Sequence, residues 1–284
     1  MMIKANKHKY PIVRMLKWLD VSKSAYYDWA GHEIPPKKLY DFELLKSILY
    51  FHKRSRGSYG VPRILDDLHD AGYKVGKHRV GRLMRENGIR SKMMKRFKKT
   101  TRQNPFHKAS PNILDGNFQA SGPNEKWVSD ITYVWTGEGW VYLCVILDLF
   151  SRQVIGWALD RRMKQDLVLK ALHRAISLRK PGPGCIFHSD RGSQYTAKRV
   201  RNVLLKNGFI QSMSGTGNCY DNAVAESFFH SLKMEYVHFE RFETREDALS
   251  GIFEWIEVFY NRIRRHSALG HKSPVQFEEL KNVA

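Results

Sequence analysis

After residue 124 the sequence contains three successive segments that read as β-strands, and their order constrains the fold more than any other feature. The segments are KWVSDITYVW, VYLCVILDLF and SRQVIGWAL, and residues 136–139 form a turn between the first two. All three are rich in β-branched and aromatic residues. The short connections between them predict antiparallel pairing.

Helices and short strands alternate after the third strand. Apolar residues recur at helical spacing over 165–179, and the strand CIFHSD follows the loop KPGPG. A helix is predicted at about 196–207, then the strand FIQSMS, a Gly-rich loop and the helix DNAVAESFFHSLKMEYV. Three antiparallel strands followed by alternating helix and strand is the order of a ribonuclease-H-like α/β fold. We therefore predict a mixed five-stranded sheet with helices.

The N-terminal part is predicted to be α-helical, with two helix-turn-helix units. Residues 10–30 read as two helices broken at Asp20, with Ser22 capping the second. In the second unit Gly72 ends the first helix, and the next helix carries a basic cluster. Its members are Lys77, His78, Arg79, Arg82 and Arg85. Such a helix suits the major groove of DNA, although a solvated basic face on a helical hairpin would give the same pattern.

The charge distribution points to a polyanionic partner. The chain carries a net charge of +20, and residues 1–110 contain 26 basic against 9 acidic residues, whereas the remainder contains 22 against 19. Residues 90–110 hold eight Lys or Arg and no acid. Nucleic acid is the usual partner of such a region. A membrane surface fits less well, because the basic residues do not lie on one long amphipathic helix.

Composition and patterning also predict the domain organisation and the compartment. The predicted segments are 1–50 (N-terminal helix-turn-helix), 51–95 (second helix-turn-helix), 96–120 (basic linker), 121–240 (ribonuclease-H-like core) and 241–284 (C-terminal helical extension). No apolar run is long enough for a membrane span or secretory signal. We expect a bacterial cytoplasmic, DNA-associated protein. Cys144, Cys185 and Cys219 are too dispersed to suggest a zinc site or disulfide.

Three acidic residues occupy related positions in the predicted sheet. Asp130 lies within the first strand, Asp190 directly follows the fourth, and Glu226 lies on the helix after the fifth. In a ribonuclease-H order the first and fourth strands are neighbours, so the three carboxylates can converge. Carboxylates suit Mg²⁺, a hard cation that prefers oxygen ligands. Two such ions can activate the attacking oxygen and stabilise the leaving oxygen of a phosphoryl displacement.

Each acid taken alone has an ordinary explanation as a turn, cap or surface residue. Asp130, however, stands in an apolar strand, where an unpaired carboxylate is costly. Glu226, His230 and Lys233 follow at i, i+4 and i+7, within a stripe about 60° wide. A glutamate facing metal, with a histidine and a lysine facing phosphate, would form an active-site wall. A solvated charge stripe remains the alternative.

The sequence resembles the second-reading-frame transposases of the IS-three group of bacterial insertion sequences, within the DDE transposase and retroviral integrase superfamily. Between Asp190 and Glu226 there are 35 residues, as in the family's signature, and 59 separate Asp130 from Asp190. The surrounding motifs KWVSDITYV, HSDRGSQY and SGTGNCYDNAVAESFFHSLK are similar to those of the family. The likeness extends to SRGSYGVPRI, KHRVGRLMRENGI and FYNRIRRHSALGHKSP, and Lys233 falls where the family has its basic residue.

The resemblance implies cleavage at transposon ends by water, followed by attack of the freed 3′ hydroxyl on another phosphodiester. Asp130 and Asp190 would bridge two Mg²⁺ (or Mn²⁺) ions, and Glu226 would complete one coordination shell. His188, Gln194 and Tyr195 would be neighbours that position DNA, although a satisfied strand-end histidine explains His188 equally well. The expected partners are transposon-end and target DNA, further copies of the chain, and a product of the upstream frame.

Two other functions remain open on sequence grounds. A nuclease of the same fold would hydrolyse DNA without joining strands, but it would not need two units that find particular ends. A DNA-binding regulator with a degenerate catalytic domain would lack at least one acid, whereas Asp130, Asp190 and Glu226 are all present.

Overall fold

The computed structural model describes residues 2–31, 35–92, 110–114, 117–214 and 223–282. Most of the predicted basic linker, the Gly-rich loop after the fifth strand and Cys219 lie outside the described residues. Cys144 and Cys185 are buried free thiols, as expected of reduced core residues.

A mixed five-stranded sheet forms the centre of the protein, as the sequence predicts. Its strands are β1 (Lys126–Thr136), β2 (Gly139–Asp148), β3 (Val154–Asp160), β4 (Ile186–Ser189) and β5 (Ile210–Met213). The spatial order is β3-β2-β1-β4-β5. The first three strands pair antiparallel, whereas β4 runs parallel to both β1 and β5.

Six helices precede the sheet in the described part of the chain. They are α1 (Met2–Asn6), α2 (Ile12–Trp18), α3 (Lys23–Gly31), α4 (Pro36–Arg54), α5 (Val61–Asp70) and α6 (Lys77–Glu86). The predicted helix-turn-helix units correspond to α2–α3 and α5–α6. Ser22 Oγ accepts a hydrogen bond from the Ala25 N–H at 3.4 Å, and Gly72 has a φ of +87° where the chain leaves α5.

Helix α4 is packed against both helices of the second unit. Its buried Leu44 and Ile48 share a core cluster with Ile64 and Val80. The expected segment boundary between residues 50 and 51 falls inside this helix.

The remaining helices cover the two faces of the sheet. They are α7 (Gln165–Arg179), α8 (Ser193–Thr196), α9 (Lys198–Lys206), α10 (Ala223–Glu235), α11 (Arg245–Phe253) and α12 (Pro274–Asn282), with a π-helical segment at Glu254–Tyr260 and 3₁₀ turns at Val237–Phe239 and Ser267–Leu269. One helix was predicted at about 196–207. This helix is α9, and extended backbone at Ala197 separates it from the short α8.

Helical spacing over residues 245–260 predicts one apolar face made of Ala248, Leu249, Ile252, Trp255, Ile256 and Phe259. The C-terminal segment packs this face on the sheet, with one exception. Ala248, Ile252, Trp255, Ile256 and Phe259 are buried as expected. Leu249 is exposed, so its placement on the buried face was wrong. The Ser273-Pro274 sequence predicts a cap for the last helix, and Ser273 Oγ accepts the Gln276 N–H at 3.3 Å as expected.

Buried ion pairs fasten the second helix-turn-helix unit to the C-terminal segment. The Arg265 guanidinium is 8% exposed and donates to Asp67 at 2.7 Å and to Asp70 at 2.6 Å, both on α5. The Tyr59 hydroxyl accepts from the Arg265 N–H at 2.7 Å and donates to the Ile263 carbonyl at 3.1 Å. These contacts fix α5 relative to the C-terminal segment.

Candidate active site

Asp130 lies where two parallel strands separate. Strand β1 pairs with β4 only from Lys126 to Val128, so Asp130 stands just beyond the last paired residue. Asp190 directly follows Ser189, the last residue of β4. The sheet therefore brings these two predicted acids to one opening.

The charges of the other two acids act on the Asp130 carboxyl group. Burial raises the pKa of Asp130 to about 7, and repulsion from Asp190 and Glu226 adds to this effect. A 2.7 Å hydrogen bond from the Ile131 N–H and the charge of Lys233 oppose it. Asp190 and Glu226 thus both raise the pKa of the Asp130 carboxyl group.

Asp190 is held by the turn that follows it. Burial raises the pKa of this carboxyl group, and a 2.9 Å hydrogen bond from the Gly192 N–H to Oδ1 lowers it. A Cβ atom on residue 192 would lie 2.9 Å from the same Oδ1 and 2.6 Å from Gln194 Oε1. A side chain at residue 192 would therefore displace the Asp190 carboxylate or the Gln194 amide.

Helix α10 faces the two aspartates. Glu226 lies in its exposed first turn, His230 is also exposed, and Lys233 is partly buried. The Lys233 ammonium lies 4.9 Å from the ring centroid of Tyr133. Burial lowers the pKa of Lys233, while Asp130 raises it. The helical stripe predicted from sequence thus borders the site.

The donor set fits a hard divalent cation. Burial and mutual repulsion both disfavour the ionised forms of Asp130 and Asp190. A cation between the two carboxylates would favour the ionised forms instead. Within the described ranges, no three carboxylate, imidazole or thiol side chains have the spacing to hold one ion. Asp130 and Asp190 form the positioned part of the site.

Tyr195, on α8, makes a buried polar contact with strand β1 next to Asp130. Its side chain is 1% exposed, and its hydroxyl lies 2.9 Å from Ser129 Oγ. Because Ser129 donates to the Val145 carbonyl at 2.9 Å, the tyrosine is the donor of their shared hydrogen bond. The expectation that Tyr195 positions DNA was wrong, since a buried ring cannot contact it.

His188 is fully buried and has partners on both ring nitrogens. Nδ1 lies 2.9 Å from Ser212 Oγ, and Nε2 lies 3.2 Å from Ser214 Oγ. Ser212 Oγ already accepts the N–H groups of Ile113 and Leu114, so its own hydrogen points to Nδ1. His188 is therefore the satisfied strand-end histidine of the two alternatives.

The basic helix α6 presents only part of its predicted cluster to solvent. Lys77, His78 and Arg85 are exposed. Arg79 and Arg82 instead form ion pairs with Asp41 of α4, at 2.6 and 2.8 Å. Arg79 also lies 4.7 Å over the Tyr40 ring. These two arginines hold α6 against α4, a contact between distant segments that local sequence patterns do not contain.

None of the helices in the described ranges is long and apolar enough to span a membrane.

Three family models match this chain and indicate its class of protein. A family model described as an integrase core domain matches residues 120–219, a second of the same description matches 226–281, and an HTH-like domain model matches 40–97. Among solved structures, the catalytic core domain of BIV integrase is similar, with a TM-score of 0.42 and 21% identity over 56% of this chain and 97% of that chain. The protein is a polynucleotidyl transferase with an integrase catalytic core.

Curated relatives then define the family. Transposase InsF for insertion sequence IS3A of Escherichia coli (strain K12) is 40% identical over 99% of this chain and 98% of its own length. The insertion element IS600 uncharacterized 31 kDa protein of Shigella sonnei is 43% identical over 93% of this chain and 97% of its own length. The chain therefore belongs to the IS3-type family of insertion-sequence transposases, and it acts in DNA transposition.

Proposed function

We propose that Asp130, Asp190 and Glu226 are the metal ligands of this transposase and that they hold two Mg²⁺ ions, which Mn²⁺ can replace. The observation that carries the proposal is the placement of Asp130 and Asp190 where β1 and β4 separate, with Glu226 raising the pKa of Asp130 from the facing helix. When bound, such ions activate an attacking oxygen and stabilise a leaving one.

The protein side chains have distinct tasks in this mechanism. Asp130 and Asp190, positioned by the sheet, would hold the ions, and Glu226 would supply a further carboxylate ligand from α10. The Lys233 ammonium, which has only donors, holds a phosphate of the transposon end beside the reacting strand. His230, exposed on the same stripe, contacts the same DNA strand.

Helix α6 is proposed as the element that contacts specific transposon ends. Lys77 and His78 are exposed in its first turn and supply the first DNA contacts. Arg79 and Arg82, also predicted from sequence to contact DNA, set the orientation of the helix through Asp41. Their substitution is expected to weaken both end recognition and the α4–α6 contact.

We further infer the biological context from the family. The active species is a homo-oligomer on DNA that holds transposon ends and target DNA, and the upstream-frame product is its fusion partner. The chain acts in the bacterial cytoplasm. The predicted segments 1–50, 51–95, 96–120, 121–240 and 241–284 remain the proposed domain division.

The test compares acid-to-amide variants with a matched control. Asp130→Asn, Asp190→Asn and Glu226→Gln are expected to abolish cleavage and joining of labelled transposon ends, while DNA binding stays near the wild-type level. Glu279→Gln, at an exposed position on α12, serves as the control and keeps full activity. Calorimetric titration with Mn²⁺ measures the lost metal binding. Normal joining by any of the three variants contradicts the assignment, and hydrolysis without joined products by the wild type indicates a nuclease.

A further inference from the structure

Three large aromatic side chains lie exposed together on the hairpin formed by β1 and β2. Tyr133, Trp135 and Trp140 are 55%, 59% and 46% exposed. Trp135 and Trp140 are directly opposite in the strand register, with ring centroids 4.8 Å apart, and Tyr133 lies 5.0 Å from Trp140. We call these residues the aromatic platform. Contiguous apolar surface of this kind commonly marks a binding site.

The aromatic platform adjoins the active site. Tyr133 follows Asp130 by three residues on the same strand, which corresponds to about 10 Å between their Cα atoms and turns their side chains to opposite faces of β1, in the part of the strand that no longer pairs with β4. Lys233, which we place at a DNA phosphate, lies 4.9 Å from the centre of the Tyr133 ring. A nucleotide next to the reacting phosphate is therefore within reach of the platform.

Positive charge flanks the platform on its other side. Tyr142 is opposite Tyr133 in the β1–β2 register and opposite Asp160 in the β2–β3 register. The next two residues, Arg161 and Arg162, are exposed where β3 ends. Aromatic rings bordered by basic side chains are typical of surfaces that bind unpaired nucleic acid.

The hairpin that carries the platform is fixed to the C-terminal segment. The Gly137 N–H donates to the Phe242 carbonyl at 2.9 Å, and the Arg245 N–H donates to Glu138 Oε2 at 2.9 Å. A Cβ atom on residue 137 would lie 2.5 Å from the Glu243 carbonyl oxygen, so the turn fits closely against this segment. Because the turn is held in place, stacking on the platform requires little additional ordering.

We propose that the aromatic platform stacks an unpaired nucleobase of the DNA strand held at the active site. Paired bases within a duplex hide their faces, so only a base at a frayed end or one turned out of the helix can stack on an aromatic ring. A second protein copy could also cover apolar surface, but the flanking arginines and the proximity to Asp130 favour DNA. The inference rests on the proposed active site.

The experiment uses the full chain, Mg²⁺ and transposon-end DNA in which one terminal nucleotide at a time is abasic. Trp135→Ala and Trp140→Ala are expected to lower joining of intact DNA by about 5-fold to about 150-fold, the range expected for one lost base stack. On DNA that is abasic at the stacked position, each variant and the wild type should join equally. Phe253→Ala, which is 53% exposed outside the platform, should match the wild type on every DNA.

A second measurement does not depend on variants. 2-Aminopurine at the stacked position should lose fluorescence when the wild-type protein binds, and Trp135→Phe should retain most of this change. The proposal is overturned if the variants lose the same amount of joining on all abasic DNAs, or if no position shows the fluorescence change. It is also overturned if the variants dissociate into smaller oligomers, because a second copy of the chain would then be the occupant of the platform. Failure of the three-carboxylate assignment is distinguished by normal joining in the acid-to-amide variants.

Discussion

Replacing the Asp130 carboxyl group should stabilise the metal-free protein while abolishing its activity. The pKa of Asp130 is raised from its ordinary value of 3.8 to about 7 by burial and by the neighbouring acids. A difference of about three pKa units corresponds to about 4 kcal/mol of unfolding free energy at pH 8. This figure is an upper limit, because the side chain is partly exposed and solvent screens its charge.

The sign and the pH window of this effect follow from linkage. A carboxyl group whose pKa is raised on folding favours the native state below pH 3.8, and this contribution is lost as the pH rises towards 7. Relative to the wild type, Asp130→Asn should therefore gain about 1 kcal/mol at pH 4.5 and at most about 4 kcal/mol at pH 8. Above pH 8 the difference should be constant.

Thermal melting in EDTA between pH 4.5 and pH 8.5 measures the effect, with Glu279→Gln as the matched control. Each kcal/mol corresponds to a shift in Tm of about 2–4 °C for a chain of this size. Added Mg²⁺ should raise the Tm of the wild type but not that of Asp130→Asn. An equal or lower Tm for Asp130→Asn at pH 8, or a difference that does not change with pH, would refute the electrostatic description of the site.

Four further predictions test other parts of the structure. Lys233→Ala should reduce end joining while Mn²⁺ affinity stays near the wild-type value, and Lys233→Arg should retain part of the activity. Lys77→Ala should reduce the slope of log K against log salt in DNA titrations by about one, the loss of one phosphate contact. Arg265→Ala should lower the free energy of unfolding in urea by about 3 kcal/mol, because the largely buried Asp67 loses its partner while the half-exposed Asp70 keeps Lys272, whereas the exposed Arg262→Ala should cost under about 0.5 kcal/mol. Ser129→Ala should destabilise more than Tyr195→Phe, and adding Tyr195→Phe to Ser129→Ala should restore stability, since the double variant leaves no buried hydroxyl without a partner.

Local sequence patterns were sufficient to predict the strands and most of the helices. A strand or an amphipathic helix can be predicted from a short stretch of sequence, because its pattern of apolar residues is local. The second half of β1 alternates between buried and exposed residues, and the buried residues of α7 recur at helical spacing. The neighbouring positions of β1 and β4 required one further assumption, the ribonuclease-H order. That order then placed Asp130 beside Asp190.

Contacts between distant segments account for the predictions that were wrong or incomplete. Nothing near Arg79 in the sequence reveals that Asp41, on another helix, lies 2.6 Å from its guanidinium. Tyr195 follows a polar motif and has a polar tip, yet its ring fills the space beneath β1. Leu249 has the right spacing for the buried face, but α11 turns it away from the core. The helical period fixes the direction in which a side chain leaves its own helix, but it does not show which residues of the rest of the protein lie opposite.

The proposed active site combines acids that the sheet positions with one acid on a separate helix, and this division has a physical reason. Parallel pairing of β1 and β4 ends at Val128, and the Tyr195–Ser129 hydrogen bond supports the strand directly before Asp130. The fold therefore holds Asp130 and Asp190 together, against their mutual repulsion, even when no cation is bound. Glu226 lies in the exposed first turn of α10, so it can approach the pair at little cost once cations offset that repulsion. Metal binding and completion of the site are consequently expected to be coupled, with Glu226→Gln reducing Mn²⁺ affinity less than Asp130→Asn does.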